Sequence, residues 1–282
     1  MIQEEDTSKF LGDATPWERL PPSAQAYFGT PSQYQQRILG FFFDHQKPHE
    51  SALGFITVQQ YYQQLIQFGI DNFLVFPYHL ITQLQRHNPI TPFMYYTEML
   101  LRVMQSDRSY QSIPNFSAAD ALRVTGVGRN QFIEAMNKSR AGGWSVKLKS
   151  KEKVLRALLP TAPMQFPLQD WWRLAIVPTS ESRIAKFPPQ IKSAIQRISS
   201  TQTFVGDIQE ADLRFLIQEN LLYITIPLEP TETVKLLNLD NFVMNRVGGD
   251  YLEGLCYKSF ISIDERTTVA QLAKMLAVDV PE

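Results

Sequence analysis

The chain holds a single cysteine, Cys256, so no internal disulfide can form and any core must be stable without covalent staples. Long apolar runs are missing as well. The longest, 73–78 and 221–228, fall far short of the roughly 20 residues a bilayer span needs, so no transmembrane segment is expected. Charge of one sign is scarce: the formal net charge is −1 and the pI is about 6.5. That argues against a surface that is one large nucleic-acid footprint, while leaving room for a local patch. The opening residues MIQEEDTSKF are acidic and lack the apolar stretch of a secretory leader. Isoleucine at position 2 and a Val-Pro-Glu ending carry no acylation or prenylation signal, so a cytosolic protein is the expectation.

What is present is enough apolar material to fold. With 44% hydrophobic residues, the 282 positions suit one large domain or two to three small ones. The most informative stretch runs from 112 to 149. Ser117, with Asp120 three residues on, reads as an N-cap for a short helix that buries Ala118, Ala119 and Leu122. Gly126 allows a positive φ, and a second helix then places Phe132, Ile133 and Met136 on one face, with Asn130, Glu134, Asn137 and Lys138 outward. Gly142 and Gly143 end it. The alternating Trp144-Ser-Val-Lys-Leu-Lys149 predicts a half-buried strand, so the whole reads as a helix-turn-helix with a β wing.

Four units are expected along the chain. Residues 1–110 form an N-terminal helical module. Thr30 before Pro31 and Thr91 before Pro92 read as N-caps with proline in the first turn. The helix from Thr91 repeats Phe93, Tyr96, Met99, Leu100 and Val103, and 58–73 repeats Tyr61, Tyr62, Leu65, Ile66 and Ile70. The helix-turn-helix with its wing spans 111–165. A second winged-helix-like unit spans 166–238, with a helix over 207–220, a strand over 221–226 and a returning strand over 234–237. In 239–282 a helix from Tyr251 and one capped by Thr268 make a third helical unit that lacks the next helix, as in an N-terminal portion of a longer protein. The fold class expected is therefore mainly α with small β wings.

No reactive centre emerges. Gly126-Val-Gly128 begins like a dinucleotide fingerprint, but position 131 is glutamine and the preceding segment is helical. His45 and His49 have the spacing of helix-borne zinc ligands, yet Pro48 lies between them and the accompanying glutamate is absent. Cys256 on an apolar helix face reads as an inert thiol. Neither enzyme activity nor a cofactor or metal is expected. Between Arg129 and Arg156, by contrast, eight basic residues (Arg129, Lys138, Arg140, Lys147, Lys149, Lys151, Lys153, Arg156) face only Glu134 and Glu152. Such a patch suits an acidic peptide, a protein, a lipid or DNA. The neutral run 221–226 and the mixed charge after 251 weigh against DNA. Candidate apolar anchors are Trp144, Trp171, Trp172 and Tyr223, with core packing the plainer role for each. The polar residues Asp240, Asn241, Asn245 and Arg246 around Phe242-Val-Met244 read as a buried turn orienting one unit on the next. The partner-binding set is thus Arg129, Lys138, Trp144, Lys147, Lys149 and Tyr223, with a nucleic-acid-binding winged helix as the alternative.

The runs Ile113-Pro-Asn-Phe-Ser-Ala-Ala-Asp-Ala-Leu-Arg123 and Thr125-Gly-Val-Gly-Arg-Asn-Gln-Phe-Ile133 also resemble the N-terminal region of the family with sequence similarity 91. Supporting stretches follow in the family's order: Pro16-Trp17 with Leu20-Pro21, Phe76 to Leu80, Ile90 to Tyr96, Trp171-Trp172, Phe242 to Arg246 and Ser262 to Glu265. The resemblance implies a non-catalytic cytosolic adaptor, peripheral at the trans-Golgi, that helps capture golgin-tethered vesicles from endosomes. It implies as partner a TBC-domain protein bridging golgins to those vesicles, with a WD-repeat trafficking complex as a further one. No nucleic acid is expected among the partners.

Overall fold

The computed structural model describes residues 4–141, 148–226, 228–236 and 251–278, with side chains at all of these except 141 and 148–150. It is mainly helical and carries one small antiparallel sheet. The first helices are α1 (Glu4–Gly12), α2 (Pro22–Phe28), α3 (Pro31–Asp44), α4 (Val58–Asp71), α5 (Ile81–His87) and α6 (Pro92–Gln105). Local chemistry starts several of them. The Thr30 hydroxyl accepts the Gln33 N–H at 3.3 Å while Gln33 Oε1 accepts the Thr30 N–H at 2.9 Å, and Pro31 occupies the first turn. Thr91 accepts the Met94 N–H in the same way ahead of Pro92. Both caps follow the sequence reading.

Helix α6 is the centre of the first part. Tyr95, Tyr96, Met99, Leu100 and Val103 are all fully buried, so most of the circumference of this helix is covered by its neighbours, while Glu98 and Arg102 leave one polar strip at the surface. Its two tyrosines stay satisfied: Tyr95 donates to Leu74 O at 2.9 Å, and Tyr96 accepts the Phe76 N–H at 3.0 Å. Helix α4 approaches closely because Gly69 has no side chain; a Cβ there would lie 2.5 Å from the Tyr95 hydroxyl.

Helices α7 (Asn115–Thr125) and α8 (Arg129–Ala141) follow, then α9 (Leu148–Ala157). Gly126 ends α7 in the left-handed region at φ 75°, as read from the sequence. Three details differ. Helix α7 starts at Asn115, and Ser117 lies inside it, fully buried. The cap comes from far away: the Glu253 carboxylate accepts the Asn115 N–H at 3.0 Å and the Phe116 N–H at 3.1 Å. On α8 the buried stripe is Phe132, Ala135 and Met136, so Ile133 faces solvent at 44% exposure. The strand expected over 144–149 is not formed at its end, because 148 and 149 open α9; residues 144–147 lie outside the described residues. Leu155 and Leu159, four apart, are buried in the main core. This helical period, with strong helix formers between 149 and 157, overrides the two-residue alternation before it. One buried cluster runs from Ala14 to Leu159.

The sheet unit contains β1 (Arg173–Ile176), α10 (Glu181–Ile184), α11 (Pro189–Ser200), β2 (Thr203–Phe204), α12 (Glu210–Gln218) and β3 (Leu222–Thr225). The strand order is β2-β1-β3, with Leu174 opposite both Thr203 and Ile224. Leu174, Ile191, Ile195, Ile198, Leu213, Leu216 and Leu221 form its core. The expected helix over 207–220 is shorter, and Asp207 sits before it, accepting the Phe204 N–H at 2.8 Å. The expected return strand is absent from 234–236; position 237 lies outside the described residues. The backbone just before it, at 230–233, meets the start of another helix. Helix α13 (Tyr251–Ser262) leads to α14 (Val269–Leu276), whose free N-terminal N–H groups at Val269 and Ala270 donate to Glu232 O and Pro230 O at 2.8 and 3.0 Å. Thr233 bridges Thr268, which caps α14 through Gln271 as expected.

Candidate functional site

The cationic segment lies on the solvent side of α8 and α9. Arg129 is exposed in the first turn of α8, and Lys138 is exposed in its last. Lys138 pairs with Glu134 at 2.6 Å, one turn back on the same helix, and holds the Glu134 carboxyl below its ordinary range through that hydrogen bond. Arg140 reaches Asp107 at 2.7 Å and lowers that carboxyl likewise. Arg156 bridges Glu98 on α6 and Glu152. Folding therefore brings Asp107 and Glu98 to the patch from a different part of the chain. Such exposed pairs add little stability, yet Asp107 and Glu98 offset part of the local excess of positive charge. Among the described side chains of the segment, Arg129, Lys151 and Lys153 form no ion pair.

The other sequence candidates separate. Trp144 and Lys147 lie outside the described residues, and Lys149 is placed only as backbone at the start of α9. Tyr223, on β3, is half-buried and packs against the main core. Burial raises its hydroxyl pKa, with Arg86 opposing, so it belongs to the joint between the sheet unit and the helices. The Thr91 hydroxyl, donating to Asn220 Oδ1 at 3.0 Å, strengthens that joint. Trp172 packs on the sheet core, whereas Trp171 is 52% exposed with its ring 6.3 Å away, edge to face. The structure does not gather these residues into one site.

Two arrangements had no sequence signal strong enough to find them. Glu253 lies 138 residues from the N–H group it caps, and only folding reveals that distance. Beside it, Asn115 Nδ2 donates to the Tyr257 hydroxyl at 2.5 Å, and Phe116 stacks on Phe260 with ring centres 5.2 Å apart. The second is a cavity of about 450 Å3 between α2 and α3, lined by Tyr27, Phe28, Gly29, Gln33, Gln36 and Arg37. The Arg37 guanidinium stands 5.1 Å from the Tyr27 ring centre and 5.6 Å from that of Phe28.

These features define a mainly helical scaffold, with a small sheet docked on it and scattered solvent-facing cations. Among the described residues no helix is long and apolar enough to cross a membrane. A family model described as the FAM91 N-terminus matches residues 10–282, and the chain belongs to the FAM91 family. Membership fits a role in traffic at the level of the family. Several stretches carrying the resemblance sit at joints between elements. In Phe76 to Leu80, Phe76 binds Tyr96, Tyr78 donates to Asp120 at 2.7 Å, and His79 Nε2 lies 2.9 Å from Gln46 O. Asp120 in turn accepts from Arg123 at 2.6 Å.

Proposed function

We propose that this protein is a non-catalytic adaptor in vesicle tethering and endosome-to-Golgi traffic. In this reading it binds a TBC-domain protein that bridges golgins and endosomal vesicles at the trans-Golgi. The observation that carries the reading is the family match over 10–282. Support comes from a rigid core beneath α8, where Phe132 and Met136 are buried while Arg129, Asn130, Ile133 and Lys138 stay accessible. A short acidic segment with one apolar anchor suits that face, since a groove or helix surface captures linear motifs by such pairs. The winged-helix comparison belongs to the same proposal: α7, its glycine turn and α8 serve as a helix-turn-helix turned to protein contact, and the sheet unit serves as a second platform.

The test is capture of the bridging protein's linker by the full chain at near-physiological salt, with Arg129→Glu and Ile133→Asp as variants. Capture that weakens in both variants supports the adaptor reading; failure to capture the linker removes it. The exposed Arg129 and Asn130 at the start of α8 favour one second reading, contact with DNA. It requires retention on duplex DNA that falls steeply with salt and weakens in Arg129→Glu.

A further inference from the structure

We propose that the cavity between α2 and α3 is a docking site for a partner's peptide segment that carries a carboxylate next to an apolar side chain. Its lining contains one cation, Arg37, two aromatic rings and two side-chain amides, and no acidic residue. Arg37 makes no ion pair and no hydrogen bond among the described residues, so the two rings hold the guanidinium while consuming none of its five N–H donors. Gln33 is oriented: its Oε1 takes the Thr30 N–H at 2.9 Å and the Thr30 hydroxyl at 3.1 Å, which leaves its amide N–H groups as donors. The Gln36 amide is also uncommitted. The groove is therefore rich in donors and poor in acceptors, with an apolar floor at Phe28, which is 1% exposed, and a wall at Tyr27, which is 54% exposed.

That inventory selects the ligand. A guanidinium fork matches a planar carboxylate in two parallel hydrogen bonds. One cation balances one carboxylate, whereas a phosphate monoester brings a charge of about −1.5 to −2 that this lining does not neutralise. The rings ask for an apolar neighbour on the ligand. Gly29 keeps the end of the groove open: its φ is +88°, and a Cβ would lie 2.3 Å from Gln33 Oε1, displacing the amide that Thr30 orients. The proposal rests on the adaptor reading for the nature of the ligand, a segment of another protein, but it uses different helices from the α8 face.

The test is fluorescence anisotropy of the full chain with a dye-labelled, C-terminally amidated eight-residue peptide in which one aspartate precedes a phenylalanine. Saturable binding is expected, at least about tenfold weaker for Arg37→Gln and for the asparagine version of the peptide. Tyr27→Ala should also weaken it, and inorganic phosphate should not displace the peptide. Arg37 is exposed, so an unchanged circular dichroism spectrum separates lost binding from lost folding. Absence of saturable binding, equal binding by Arg37→Gln, equal binding of the asparagine peptide, or displacement by phosphate would each overturn the proposal. Failed linker capture alongside Arg37-dependent peptide binding removes the adaptor reading and keeps the groove; the converse removes only the groove.

Discussion

Replacing Glu253 by alanine would take the cap off α7 without touching α7 itself. The carboxylate is 5% exposed and accepts two backbone N–H groups, at 3.0 and 3.1 Å, where the positive end of the helix dipole is also directed. Losing a cap costs roughly 0.5–2 kcal/mol, and leaving a buried donor unpaired costs about 1–3 kcal/mol more. Water reaching the vacated space recovers part of that, so a total of about 2–4 kcal/mol is expected for Glu253→Ala. Glu253→Gln keeps one acceptor and should cost about half as much. Urea denaturation measures the global change. Amide hydrogen exchange locates it, and the Asn115 and Phe116 amides should lose protection far more than those of α4 or α6. A Glu253→Ala protein within about 0.5 kcal/mol of the parent, or one whose faster exchange is spread evenly, would refute the assignment of Glu253 as the cap.

Other outcomes follow from packing and burial. Gly69→Ala should destabilise by about 1–3 kcal/mol, because the new methyl group meets the Tyr95 hydroxyl. Adding Tyr95→Phe should recover part of the loss, and simple additivity in the double-mutant cycle would rule out that clash. Burial raises the Tyr34 and Tyr110 hydroxyls to about 12, against 10.0 when unfolded. Because the folded values are the higher ones, their contribution to stability is whole below pH 10 and is lost progressively between about 10 and 12. Alkaline titration at the tyrosinate absorbance band should therefore show these two ionising late; both ionising near pH 10 in the folded protein would contradict their burial.

Features that close within one helical turn are legible in the sequence alone. Thr30, Thr91 and Thr268 each cap the helix that begins at the next residue, and Gly126 ends α7, because partner and backbone lie within four residues of each other. The apolar period of α6 announced a buried helix for the same local reason. Tertiary structure decided what depends on distant partners. Glu253 moved the start of α7 back to Asn115. The core chose Ala135 over Ile133, and the N-terminus of α14 engaged the backbone at 230–233, just before the segment that was expected to return as a strand. The candidate site belongs to this second class. Charge along 129–156 was legible as composition, but Asp107 and Glu98 reach it only through folding, and the Arg37 groove exists only once α2 and α3 pack together. A periodic pattern specifies which face of an element is apolar; which neighbour covers that face, and which charge meets which, depends on contacts between residues far apart in the chain.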